Sequence, residues 1–240
     1  MANEDVPTLG GTGEQFPERL QIAEVRQLPD ILGDERLYRE LLDLVGAMTE
    51  NGRDADRNYQ DMLRRHREDE DFVVLVLKTL DALDESWYVE RWALVQLAVD
   101  LEHPIAAEYL TDFVQRPIAE EQTEDTAHGL STVTEEVVLR TTAIEGLARL
   151  ARQGVDTTDA LLQTISSSDY VAMRRAAWFA MVDGGSEEGL QRARQLLDDR
   201  GDGWIAELRR LPVREAEQQN PELIYPGATR DGDIPDPFDE

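Results

Sequence analysis

A short phrase of helical residues occurs three times in this chain, and this repetition constrains the fold more than any other feature. Two copies begin at Arg140 and Arg174, and each carries a small residue three positions and six positions after its arginine. The two arginines lie 34 residues apart, a spacing typical of stacked helical repeats. A third copy begins at Arg91, where leucines occupy the two small positions. The spacing predicts an array of helical pairs that bury their apolar faces against one another.

Hydrophobic periodicity predicts helices along most of the chain. The best candidate for a strand, residues 72–77, continues with helical spacing to Leu83, so we interpret the stretch as one buried helix. Polar breaks with capping residues, proline and glycine separate the predicted helices. Their predicted limits are 37–48, 54–67, 72–83, 87–101, 105–114, 135–152, 160–165, 170–182 and 186–197, with a short capping element at 204–211.

The same pattern divides the chain into three parts. Residues 1–17 are rich in proline and glycine and are predicted to be a flexible N-terminal segment. Residues 18–211 are predicted to form the helical repeat domain, with a polar inserted loop at about 117–134. Residues 212–240 are an acidic, proline-rich tail. The start of the chain has no signal-peptide pattern, and no apolar run is long enough to span a membrane, so we expect a cytoplasmic location and no membrane partner.

The charge of the chain excludes one class of partner. Fifty-one acidic residues face 24 basic ones, which gives a net charge of -27, and Lys78 is the one lysine. A field of this sign repels phosphate backbones, so we expect no nucleic-acid binding. Three explanations of the acidity stay open. The first is that the protein belongs to a halophile. The second is that GC-rich coding has favoured arginine over lysine in an ordinary acidic protein. The third is that an acidic face docks a basic partner.

One segment, residues 169–197, resembles a HEAT repeat of the short form found in bacterial HEAT-like proteins and in relatives of phycobilin lyases. It begins with Asp169 as a cap and continues through Arg174 into an alanine-rich helix. A glycine turn at 184–185 follows, and the second helix ends in a pair of leucines. The resemblance implies an all-α fold, an α-α superhelix of HEAT-like repeats. It identifies an architecture and no activity.

Two further segments are similar to the same outline. Residues 138–165 match it with a longer turn, and residues 87–114 match it less closely because leucines replace the usual alanines. In such repeats the arginine reaches acidic or carbonyl groups of a neighbouring turn, and the small residues let helices approach closely. The resemblance therefore implies structural roles for the repeat residues Arg91, Arg140, Ala143, Arg174 and Ala177.

The sequence contains no recognisable catalytic centre. It has no cysteine, and His66, His103 and His128 are far apart in different contexts. The acidic turn at 198–203 carries Arg200 at a ligand position of the calcium loop that it partly resembles. We therefore expect no enzymatic activity, no bound cofactor and no metal ion.

Two groups of residues are candidates for contact with a partner protein. Trp87 and Tyr88 are predicted to be exposed aromatic anchors, whereas Trp92 and Trp178 are predicted to fill the core. The acidic run Glu68, Asp69, Glu70 and Asp71 would attract basic groups, although a solvated cap for the helix at 72–83 is the favoured explanation of it.

These features favour a non-enzymatic adaptor or scaffold that binds another protein, with a basic surface, through an acidic helical face. Three alternatives stay open. The first alternative is an inhibitor or immunity-type protein that masks a cationic site on a toxin or nuclease. The second is a bilin lyase-like enzyme or lyase subunit, which only the resemblance suggests. The third alternative is a structural component of a larger assembly, which predicts self-association.

Overall fold

The computed structural model describes residues 28–50, 54–122 and 131–208. The predicted flexible segment 1–17, the tail 212–240 and part of the inserted loop lie outside these ranges. Every regular element in the described part is helical, and none of its helices is long and apolar enough to cross a membrane. The α-helices are α1 Glu35–Met48, α2 Ala55–His66, α3 Glu70–Asp81, α4 Tyr88–Leu101, α5 Ala106–Gln115, α6 Thr132–Arg152, α7 Thr158–Ser167, α8 Val171–Gly184 and α9 Glu187–Asp199, and a 3-10 turn at Gly203–Glu207 follows.

The helices pack in two layers. Helices α1, α3, α5, α7 and α9 contact one another in that order and form the odd layer. Helices α2, α4, α6 and α8 do the same and form the even layer. Helices next to each other in the chain, such as α3 with α4 or α5 with α6, pack across the two layers. This arrangement confirms the predicted all-α superhelix of helical repeats.

The repeated phrase falls at equivalent places in the even layer. Arg91 and Arg174 lie in the first turn of α4 and α8, whereas Arg140 lies near the middle of the longer α6, and all three are buried. The need for small residues is clearest at Gly146 in α6, where a Cβ atom would lie 2.6 Å from Cγ2 of Val99 in α4. The period of the sequence therefore reflects one interface that recurs between successive even helices.

The two end helices of the described array present polar faces. On α1, Arg36 pairs with Glu40 and Arg39 pairs with Glu35, both at the exposed surface. On α9, the exposed residues are charged or amide side chains, while Ala193 and Leu197 face the core. Repeat arrays need such polar outer faces on their terminal helices to stay soluble.

Two elements differ from their predicted limits by three residues or more. Helix α6 begins at Thr132 rather than Glu135, because Ser131 Oγ accepts a hydrogen bond from the Thr134 amide at 3.1 Å. The carboxylate of Glu121 also accepts from the Thr132 amide at 3.0 Å. The capping element predicted at 204–211 is a shorter 3-10 turn in the described part.

Candidate functional site

A buried charge cluster joins α4 to α6. The Glu136 carboxylate lies between two guanidinium groups: Arg91 donates to its Oε1, and its Oε2 is 3.0 Å from Nη2 of Arg140. All three side chains are buried. Removing two positive charges and one negative charge from water is costly, so the single carboxylate must hold both arginines.

The ring of Phe113 in α5 completes this cluster. The Arg140 guanidinium carbon lies 3.9 Å from the ring centroid, and that of Arg91 lies 6.0 Å away. Nε and Nη1 of Arg140 have no hydrogen-bond acceptor among the described residues, so the π face is their close neighbour. Burial lowers the pKa of Arg140 to about 10, while Glu136 opposes that shift. Arg140 thus stays charged at neutral pH, and the cluster as a whole links α4, α5 and α6.

Arg174 makes the corresponding contacts between neighbouring elements farther along the array. Its Nη2 lies 2.7 Å from Oδ2 of Asp202, and its Nη1 donates to the Ser168 carbonyl at 2.8 Å. These contacts tie α8 to the turn that precedes it and to the turn after α9. Because the Asp202 carboxylate holds an arginine, the acidic turn at 198–203 serves packing. The described residues contain no group of three side chains suited to hold a metal ion.

Asp100 ties three helices of the even layer together at its outer face. Its Oδ1 accepts hydrogen bonds from Gln96 at 3.0 Å and from Arg149 at 2.6 Å. Its Oδ2 accepts from the hydroxyl of Tyr59 at 3.0 Å. Burial, with a contribution from the Asp100 charge, raises the pKa of Tyr59 well above its usual value. This network fixes α2, α4 and α6 relative to one another.

A groove of about 670 Å³ runs between α6 and α8 on the outer face of the even layer. We call it the α6–α8 groove. Its apolar lining comes from Val137 and Val138 on α6, from Ala176 and Phe179 on α8, and from Leu208 after the 3-10 turn. Val138 keeps 37% of its surface exposed. On α8, Ala172 and Ala176 contribute small side chains to the lining, beside Phe179 and Arg175.

Charged residues stand along the α6–α8 groove. Glu145 and Arg175 are exposed and line it. A smaller groove of about 300 Å³ shares Glu145 and continues toward the ends of the two helices, where Arg152 and Asp183 line it. The two together form one trough that carries an apolar part and charges of both signs.

The predicted contact residues lie outside this groove and apart from one another. Trp87 and Tyr88 are half-buried at the start of α4, and burial raises the pKa of Tyr88, with contributions from Glu135 and Glu136. The acidic run precedes and begins α3, whose start lies beside the end of α4. Because α3 is about 18 Å long, the two groups lie at opposite ends of the α3–α4 pair.

The acidic run contributes a helix cap. Asp69 accepts a hydrogen bond from the Phe72 amide at 3.1 Å, and the other members, Glu68, Glu70 and Asp71, are exposed.

The predictions for the two core tryptophans have different outcomes. Trp178 is buried as expected, but the prediction for Trp92 is wrong, because this side chain is 38% exposed. It shares the outer stripe of α4 with Gln96 and Asp100, at four-residue spacing.

The histidines have separate environments. The His66 ring stacks on Phe72 with centroids 4.2 Å apart. His103 accepts a hydrogen bond at Nδ1 from the Ile105 amide at 3.2 Å, which closes the turn before α5. His128 lies outside the described residues.

No protein family, curated protein or solved structure matches this chain. The functional argument therefore depends on the α6–α8 groove, which sequence reasoning did not find. Val138 and Phe179 have the spacing of ordinary core residues. A weak signal exists in α6, where Thr134, Val138, Thr141 and Glu145 follow one face, but the sequence does not say that this face lacks a covering helix.

Proposed function

We propose that this chain is a non-enzymatic adaptor built of HEAT-like repeats, and that it binds a basic, partly apolar segment of a partner protein in the α6–α8 groove. The observation that carries the proposal is an apolar groove on the exposed face of a helical layer. Soluble proteins expose few apolar concavities without a ligand or a partner for them. Val138 and Phe179 are the anchors that we expect a partner side chain to contact.

The fixed geometry of the groove walls supports this proposal. The Arg91–Glu136–Arg140 cluster holds α6 from the inside of the layer, and Arg174 holds α8 through Asp202. A groove with rigid walls loses little conformational freedom when it is occupied. Binding by a preformed surface needs no rearrangement of the repeats.

Charge supports the choice of a basic partner. The net charge of -27 attracts cationic surfaces at long range and speeds their association. The lining of the trough itself carries charges of both signs, since Arg149, Arg152 and Arg175 stand beside Glu145 and Asp183. The support from charge therefore comes from the long-range field. The residues Trp87 and Tyr88 and the acidic run at 68–71 stay a separate prediction of a second contact area.

Affinity capture with matched variants tests the proposal. The tagged full chain, its Val138→Asp variant and its Val182→Asp variant are incubated with lysate of the source cells at low and high salt. Val182 is a matched control, because it lies on α8 and is 51% exposed but does not line the groove. We expect one stoichiometric protein to bind the unchanged chain and Val182→Asp, to be lost with Val138→Asp, and to bind less at high salt.

Two results would contradict the proposal. Equal retention of the same protein by all three forms would place the binding site elsewhere. The absence of any stoichiometric partner at either salt concentration would argue against an adaptor.

A further inference from the structure

We infer that the partner segment bound in the α6–α8 groove contains an acidic residue, which pairs with Arg175, between an apolar anchor and a basic residue. This pairing rests on the proposed function, because it names the chemistry of the same partner. The negative field of the chain favours a segment that is basic as a whole. Arg175 determines the charge at one position within that segment, and so sets its register along the groove.

Arg175 lines the groove on the α8 wall without a counter-charge. Its side chain is exposed among apolar lining residues such as Ala172 and Phe179, and it forms no hydrogen bond or ion pair with a described residue. The adjacent Arg174, by contrast, is held by Asp202. An apolar side chain that fills the groove removes water from its walls, so the Arg175 guanidinium then needs a new acceptor. A carboxylate matches it, because its two oxygens accept two parallel N–H bonds.

The register of α6 and α8 places Arg175 between the apolar end of the groove and Glu145. A Cβ atom on Gly184 would lie 2.8 Å from Cβ of Ala151, so these two positions stand side by side in the parallel helices. By the same offset, Arg175 stands level with the middle of α6, about one turn after Val138 and one turn before Glu145. Each step is roughly 5 Å along the helix axis.

Glu145 gives the position of the basic residue. Its exposed carboxylate also forms no ion pair or hydrogen bond with a described residue, so Arg175 and Glu145 do not neutralise each other. Farther along the trough, Arg152 and Asp183 line the same part with opposite signs, and that part selects less strongly. From the apolar end of the groove, the bound segment therefore presents an apolar, an acidic and a basic side chain in that order. The reverse order of charges would bring like charges together.

Selection from a random peptide library tests this order. Peptides displayed on phage are selected on the immobilised full chain, and clones that bind its Val138→Asp variant equally well are removed. The remaining peptides need the groove. We expect them to share an apolar residue, an Asp or Glu and an Arg or Lys at fixed spacings and in that order, in one chain direction.

The sign of one charge reversal separates this pairing from the attraction of a purely basic segment. Fluorescence anisotropy measures the affinity of the commonest selected peptide for the unchanged chain, for Arg175→Glu and for Arg192→Glu. Arg192 is a matched control, because it is exposed on α9, has no ion pair with a described residue and does not line the groove. We expect Arg175→Glu to weaken binding about tenfold or more. The control should change it by less than about threefold.

Equal or tighter binding to Arg175→Glu would overturn the pairing, since it would show that the field alone acts. Changing the acidic residue of the peptide to Lys should restore its affinity for Arg175→Glu, and no recovery would also contradict the pairing. If Arg175→Glu loses its helical circular dichroism, Arg175→Gln gives the same test with a smaller loss of affinity.

The pairing and the proposed function fail in different ways. Peptides that need Val138 but have no acidic residue at a fixed position would overturn the pairing and leave the groove as a binding site. The absence of any peptide that needs Val138 would contradict binding in the groove, and with it both proposals.

Discussion

Glu136 shows how much of this architecture depends on single buried charges. Its carboxylate neutralises one guanidinium from the preceding repeat and one from its own helix, against the ring of Phe113. The repeated arginine of the sequence therefore has a physical cause. Each copy is a buried cation that must find an anion or a carbonyl group in an adjacent element. Sequence reasoning identified the arginines but not their acceptors, because Glu136 and Asp202 do not share a repeat position.

We predict that Glu136→Gln destabilises the protein by about 3 kcal/mol or more, since it leaves two buried guanidinium groups without a counter-charge. Urea unfolding followed by circular dichroism measures the change in the free energy of unfolding. The control Glu108→Gln, at an exposed position of α5, should change it by less than about 0.5 kcal/mol. Equal, small effects of the two substitutions would contradict the structural role of the cluster.

The neighbouring Glu135 gives a prediction about pH. Burial raises the pKa of Glu135, and Glu121 and Glu136 contribute to the shift. Because the fold favours the protonated form, ionisation costs stability as the pH rises through the ordinary glutamate range and above it. Glu135→Gln should therefore be more stable than the unchanged chain at pH 7, and the difference should disappear near pH 4. Urea unfolding at both pH values checks this, and a variant that is less stable at pH 7 would contradict it.

The helices pack through positions where their backbones must approach closely. Gly146 of α6 faces Val99 of α4 at such a position, and Leu110 of α5 is the next neighbour. Valine is stiff about its first side-chain torsion, so it cannot easily turn away. The small residue of the repeated phrase thus sets the distance between adjacent even helices.

We predict that Gly146→Ala lowers the free energy of unfolding by about 1 kcal/mol or more, because overpacking outweighs the helix propensity of alanine. Gly46→Ala is the matched control, since Gly46 also lies in a helix but nothing stands within 4 Å of its added Cβ. That control should raise the free energy of unfolding by up to about 1 kcal/mol. Val99→Ala combined with Gly146→Ala should recover part of the loss, and the absence of any coupling would contradict the contact.

The elements were largely predictable because their signals are local. The described helices begin and end within three residues of most predicted limits, since periodicity, caps, proline and glycine all act over a few residues. The start of α6 was predicted too late, because its cap at Ser131 and its tie to Glu121 lie in a polar stretch that is typical of a loop. The exposure of Trp92 and the α6–α8 groove depend on which helices cover which faces. That information is tertiary, and no residue near Trp92 or Val138 carries it.

The whole molecule carries a net charge of -27, so mutual repulsion of carboxylates opposes its compact state. Molar salt shortens the screening length to about 3 Å and weakens this repulsion. We predict that the Tm rises as NaCl increases from 0.05 to 1 M, by roughly 2–4 °C for each kcal/mol of repulsion removed. Calorimetry over a salt series measures it. A Tm that stays constant or falls would show that the carboxylates are already balanced within the fold, and would contradict the explanation by salt adaptation.

The adaptor account itself depends on which face of the two-layer array meets a partner. The most direct measurement is photo-crosslinking with the tagged full chain, labelled with a benzophenone at Val138→Cys in the groove or at Gln163→Cys in the odd layer. Each labelled form is mixed with lysate of the source cells, irradiated and purified through its tag. The account predicts that the label at position 138 captures one partner protein covalently and that the label at position 163 does not. Capture of the same partner from position 163, or equal capture from both positions, would contradict it.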